Sequence, residues 1–215
     1  MTIRHEIETL SFIFVASMIA TIMIGLLHKS PTPQSFHVAT PFANLLPTAT
    51  PTPTPAPVPE VTYQSQTSSD GKEKVNMKEV NIQGMKTYTF TLTNIDSNTT
   101  TPLFGSQVAT SSSMKLPFNA FSPNNSYVFL ERKDSDMSHF LVFQTSGEAF
   151  GNGQQYIDAT DSFTAYTSSY SHPIATGWGD NALLIINAVS TDGHPASFWM
   201  ELPSENFIPL SSYFP

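Results

Sequence analysis

The pattern of apolar and polar positions divides the chain into three stretches of different character. Thr9 to Leu27 reads TLSFIFVASMIATIMIGLL, 19 residues with no charge, no proline and one glycine. As a helix this run reaches roughly 28 Å, about the hydrocarbon thickness of a bilayer. A helix also pairs its backbone polar groups internally, which lipid requires. The pattern therefore predicts one transmembrane helix over 9–27, preceded by a cytoplasmic stub over 1–8.

Residues 28–67 are dominated by Pro-Thr alternation, at Pro31-Thr32-Pro33 and again from Pro47 to Pro57. Proline fixes φ and lacks an N–H, so neither helix nor sheet propagates through such a stretch. The expectation is a disordered Pro/Thr-rich linker, extended as polyproline II and acting as a spacer. Docking onto an SH3-like domain would need a cytoplasmic partner, and the spacer reading is preferred.

From 68 to 215 the period shortens to two. Lys86 to Thr93 alternates strictly, with Tyr88, Phe90 and Leu92 on one face. Tyr127–Leu130, Phe140–Phe143, Leu183–Ile186 and Phe198–Met200 are apolar on both faces. Runs of that kind suit inner strands covered on both sides. No window shows the 3.6-residue period of a helix, so an all-β domain is expected over 68–215.

The strand pairs recur in three units, 69–93, 122–145 and 177–202, whose starts lie 53 and 55 positions apart. Each unit is a turn, a strand, a polar hairpin and a second strand. The opening turns are Ser69-Asp70-Gly71, Ser122-Pro123-Asn124-Asn125 and Gly177-Trp178-Gly179-Asp180-Asn181. The stretch Phe121 to Leu130 resembles the turn-plus-strand signature of the WD40-like repeats of TolB-type β-propellers. Ser69-Asp70-Gly71-Lys72 and Gly179-Asp180-Asn181 fit it more loosely. The resemblance implies blades of antiparallel strands and a role in interaction. Three units fall short of the 4–8 blades of a closed ring. The expected architecture is therefore repeated antiparallel hairpins in a partial or open propeller, with a β-sandwich as the alternative. Thr99 to Lys115 and Glu148 to Thr176 are available for outer strands.

Composition narrows the function. Residues 68–215 hold 7 Lys+Arg against 14 Asp+Glu. An acidic surface argues against nucleic acid as a partner, because phosphate neutralisation needs cations. The absence of cysteine excludes disulfides, thiolate metal sites and a cysteine nucleophile. The residues after the apolar run, Leu26 to Ser30, offer no Ala-x-Ala cleavage site, so the anchor is expected to be retained. Arg4 and Lys29 nearly balance the flanking charge. The spacer-like linker then places the C-terminal domain outside the membrane. Glu6 and Glu8 precede the apolar stretch, unlike the glutamate of a type IV pilin, which lies inside it.

Candidate chemistry is sparse. Of His5, His28, His37, His139, His172 and His194, the last three lie in the β region, far apart and without H-x-x-x-H spacing. No G-x-S-x-G occurs. Asp134 and Asp136 form an Asp-x-Asp without the rest of a calcium loop. Asp158 and Asp161 sit in a Gly/Gln/Ser/Thr-rich stretch, where a carboxylate pair for glycoside cleavage is a question of distance. Gly151-Asn152-Gly153 lacks the Lys-Ser/Thr of a phosphate loop. Asn98 and Asn124 match N-x-S/T. Trp199 is expected in the core, and Trp178 at an exposed position or a blade junction.

No catalytic, cofactor or metal residue is assigned on this basis. The expectation is a single-pass, membrane-anchored extracytoplasmic module that binds or scaffolds a protein or surface polymer without catalysis. The alternative is a carbohydrate-active or enzyme accessory domain on a stalk. Exposed aromatics in a groove with a carboxylate pair within reach favour that alternative, and a flat acidic face without a pocket favours the interaction module.

Overall fold

Each hairpin that the sequence pattern predicts is the central strand pair of a four-stranded sheet. The structure, a computed structural model, describes residues 58–151 and 153–214. The first sheet comprises β1 (Glu60–Thr67), β2 (Glu73–Ile82), β3 (Met85–Asn94) and β4 (Thr99–Ala109). The second comprises β5 (Ser112–Lys115), β6 (Tyr127–Asp134), β7 (Met137–Gln144) and β8 (Ile157–Asp158). A short helix, α1 (Ala159–Tyr166), follows β8. The third sheet comprises β9 (Tyr170–Asp180), β10 (Leu183–Ser190), β11 (Pro195–Glu201) and β12 (Asn206–Pro209). All three are antiparallel meanders in which neighbours in sequence are neighbours in the sheet.

The second sheet lies between the other two, which explains its doubly apolar strands. On one face Val128, Leu130, Leu141 and Phe143 pack against Val75, Met77, Tyr88 and Phe90 of the first sheet. On the other, Phe129, Phe140 and Val142 join Leu184, Ile186, Phe198 and Met200 of the third sheet and Phe163 of α1. The strict alternation in β3 has the opposite cause. Tyr88, Phe90 and Leu92 are buried, while Thr87 and Thr89 on the other face are exposed. The outer face of the third sheet is partly covered by the C-terminal segment. Ser197 Oγ donates to Asn187 Oδ1 at 2.6 Å, Phe214 N donates to Ser197 Oγ at 2.9 Å, and Asn187 Nδ2 donates to Phe214 O.

The turns that open the first two units share one hydrogen-bond pattern. Ser68 Oγ donates to Asp70 Oδ1 and accepts from Glu73 N, while Lys72 N donates to Asp70. Ser122 Oγ donates to Asn124 Oδ1 and accepts from Tyr127 N, while Ser126 N donates to Asn124. Gly71 and Asn125 take the left-handed conformation that each turn requires, at φ +74° and +60°. The two turns also touch, through Asn125 Nδ2 and Asp70 Oδ1 at 2.7 Å. The Ser68 hydroxyl, the Lys72 N–H and the Asn125 amide hold the Asp70 carboxyl down from 3.8 to about 2. A carboxyl held low in the folded state contributes stability above its unfolded value and loses it as pH falls through the folded one. Between about pH 4 and about pH 2, wild type should therefore lose more melting temperature than Asp70→Asn. That variant gives the first turn the residue the second already uses at Asn124, so it should fold. Parallel melting curves across that window would remove Asp70 from the acid response.

Several elements depart from the sequence expectation. β1 occupies 60–67, which the proline pattern had assigned to the linker. α1 lies where no helix was expected. Gly177 to Asp180 are the end of β9 and pair with β10, so the third unit opens with a tight hairpin and lacks the serine turn of the other two. Trp199 is half-buried outside the core clusters, with its indole over Gly179, where a Cβ would sit 2.5 Å from Nε1. The expected cytoplasmic stub (1–8), the transmembrane helix (9–27) and the part of the 28–67 linker up to residue 57 lie outside the described residues. Among the described residues no helix is long and apolar enough to cross a membrane.

Candidate functional site

β1 is an edge strand, and a groove of about 1080 Å³ runs beside it. Gln64, Ser65, Gln66 and Thr67 all line this groove. Successive side chains of a strand point to opposite faces, so a cavity touching four in a row abuts the strand's edge. The opposite wall is built by Phe118 and Phe121 from the β5–β6 loop and by Trp178 from β9. Phe118 is 90 % exposed. Trp178 is held in place by donation from Nε1 to Ala120 O at 3.1 Å and by stacking on Tyr127, with centroids 6.1 Å apart. It therefore sits at the junction of the second and third sheets. Gly177, at φ +154°, lets the loop approach, since a Cβ there would lie 3.3 Å from the Cβ of Asn119. Among the described residues, no Asp, Glu, His, Lys or Arg lines the groove. The buried Gln66 Oε1 has no hydrogen-bond partner among the described residues.

A second candidate lies at the start of α1. Asp158 is the N-cap, and its Oδ1 accepts from Thr160 N at 3.0 Å and Asp161 N at 3.2 Å. Its Oδ2 lies 2.8 Å from His139 Nδ1, and Asp161 Oδ1 lies 3.6 Å from the same nitrogen. His139 and Asp158 are largely buried, whereas the Asp161 side chain is 71 % exposed. An adjoining cavity of about 450 Å³ is lined by Asp158, Asp161, Glu205 and Arg132. Arg132 Nε is already bound to Asp134 Oδ2 at 2.7 Å.

The sequence treated His139 and the Asp158–Asp161 pair as unrelated, and the β7–β8 ladder brings them together. His172 and His194 are exposed and do not join them. Asp134 is engaged by Arg132, and Asp136 stands exposed in the β6–β7 turn. Asn124 serves the second turn through its side chain, and Asn98 lies in the β3–β4 turn at φ +52°. The groove had no signal in the sequence, because Phe118 stands in an irregular loop. The Asp158-x-x-Asp161 spacing at a helix start was the available sign of the second site.

Comparison with protein-family models, with curated proteins and with solved structures gives no match.

Proposed function

We propose that the chain is a membrane-anchored binding module, displayed outside the membrane, whose groove takes an extended polypeptide partner without catalysing a reaction. The observation that carries this is the unpaired edge of β1 along a groove free of ionisable side chains. An exposed strand edge offers backbone N–H and C=O groups to an added strand, and flanking pockets select its side chains. Phe118 and Trp178 supply apolar contact. General acid–base work needs titratable groups at the ligand, and among the described residues no carboxylate, imidazole or amine lines this groove.

The three meanders, two of them opened by the same serine turn, support reading the domain as an open, three-bladed propeller of the WD40-like kind. An edge that ring closure would have covered is then free for a partner. The apolar run 9–27 and the Pro/Thr linker support the anchor and the spacer. Protease added to intact cells should remove the β domain, and full protection would overturn that location.

The ligand class is tested with full-length protein in detergent. A displayed library of random extended peptides should yield binders that slow amide exchange across Gln64 to Thr67. Phe118→Ala should weaken them about tenfold or more, as loss of an exposed aromatic anchor does. Glycan binding that depends on Phe118, with no peptide selected, would overturn the polypeptide partner in favour of a carbohydrate-binding accessory domain.

A further inference from the structure

From the second candidate site we infer that His139, Asp158 and Asp161 form a binding site for a zinc-type divalent cation. One ligand atom from each residue lies within 4.8 Å of the other two. The separations from His139 Nδ1, 2.8 Å to Asp158 Oδ2 and 3.6 Å to Asp161 Oδ1, lie to either side of the spacing around one ion, and the shorter is a hydrogen bond that the ion would replace. Zinc sits about 2.0–2.2 Å from nitrogen and carboxylate oxygen, so its ligand atoms lie about 3–3.5 Å from one another. Asp161 is exposed and free to turn toward the ion.

The donor set selects the metal. One imidazole with two carboxylates suits zinc and its neighbours in the first transition row. Calcium takes 6–8 oxygen ligands, and an imidazole nitrogen is a poor substitute for one. The positions not filled by protein open toward the adjoining cavity, whose wall adds the Glu205 carboxylate. Its one cationic lining residue, Arg132, is already paired with Asp134. The Asp158, Asp161 and Glu205 carboxylates thus face one cavity, and Glu205 also accepts from Ser162 Oγ.

The surrounding bonds fix the ligand-bearing elements against each other. Thr160 Oγ1 donates to Ser138 O at 3.0 Å and accepts from Phe140 N at 3.2 Å, so α1 grips β7 on both sides of His139. Both capping bonds to Asp158 go to Oδ1, which leaves Oδ2 directed at His139. Outer bonds of this kind orient metal ligands and tune affinity. A bound ion would add a further pin between α1 and the middle sheet, at a place separate from the groove.

The test uses full-length protein in detergent, stripped with chelator and titrated with Zn²⁺ by calorimetry. One site is expected, with an upward shift in melting temperature on saturation. Asp161→Asn should lower affinity about tenfold or more and abolish the shift. Its melting without metal should match wild type, since Asp161 is exposed. His139→Gln should lose binding as well, while a His172→Gln/His194→Gln double variant should keep it. Absence of Zn²⁺ binding, unchanged affinity in Asp161→Asn, or Ca²⁺ binding as tight as Zn²⁺ would each overturn the site.

Discussion

Phe129→Ala should destabilise the folded domain by about 3–5 kcal/mol, enough to consume a large part of the stability of a typical domain. Phe129 is fully buried on the face of the second sheet that meets the third. Its ring makes edge contacts with Phe140 and Trp178, with centroids 6.3 Å and 6.0 Å apart. Truncation opens a cavity between two sheets that no disulfide ties together. Neighbours held in ladders on both sides have little freedom to collapse into it. Leu130→Ala, one residue along and on the opposite face, should cost about 2–5 kcal/mol by the same mechanism at the first-sheet interface. Thr89→Ala on the exposed face of β3 should stay within about 0.5 kcal/mol. Urea unfolding of the three variants reads these values. A loss below about 1 kcal/mol for Phe129→Ala would mean that the middle sheet is not sandwiched as described.

The strands visible in the sequence are those with this kind of burial. β2–β3, β6–β7 and β10–β11 each carry an apolar face that meets a neighbouring sheet, and β6–β7 carry two. The outward Ile185 and Trp199 of β10–β11 are only half-buried, so those strands are not covered on both sides by sheets as expected. The flanking strands lack that signature for physical reasons. β1 is an edge strand with seven exposed positions and follows a proline tract, so its residues look like linker. β5, β8 and β12 have four, two and four residues, too short to show a period. α1 buries only Ala159, Thr160 and Phe163 in one end of its eight residues, which leaves no repeating apolar stripe. The sites were less legible still. His139 and Asp158 are 19 residues apart and meet because Leu141 pairs with Asp158 across the β7–β8 ladder. The groove depends on where an irregular loop carries Phe118, and local sequence pattern does not encode that.

Thr160→Val removes one oxygen from a buried position at nearly constant shape, and it should cost more stability than any exposed substitution in the domain. β8 ends after two residues, and beyond it the edge of β7 has no further strand to pair with. The Thr160 hydroxyl takes that place, accepting from Phe140 N and donating to Ser138 O. Valine leaves the N–H and the C=O without partners, and each orphaned group costs about 1–3 kcal/mol. A loss of about 2–4 kcal/mol is therefore expected in urea unfolding. Thr160→Ser keeps the hydroxyl and removes one methyl, and should cost about 1 kcal/mol. The pair of variants separates hydrogen bonding from packing, because valine keeps the volume and serine keeps the bonds. They also separate stability from the metal site. His139 stands between the two groups that Thr160 grips, so the valine variant should bind Zn²⁺ more weakly while the serine variant binds as wild type does. A valine variant as stable as wild type, with serine the less stable of the two, would show that packing, and not the hydroxyl, joins α1 to the sheet.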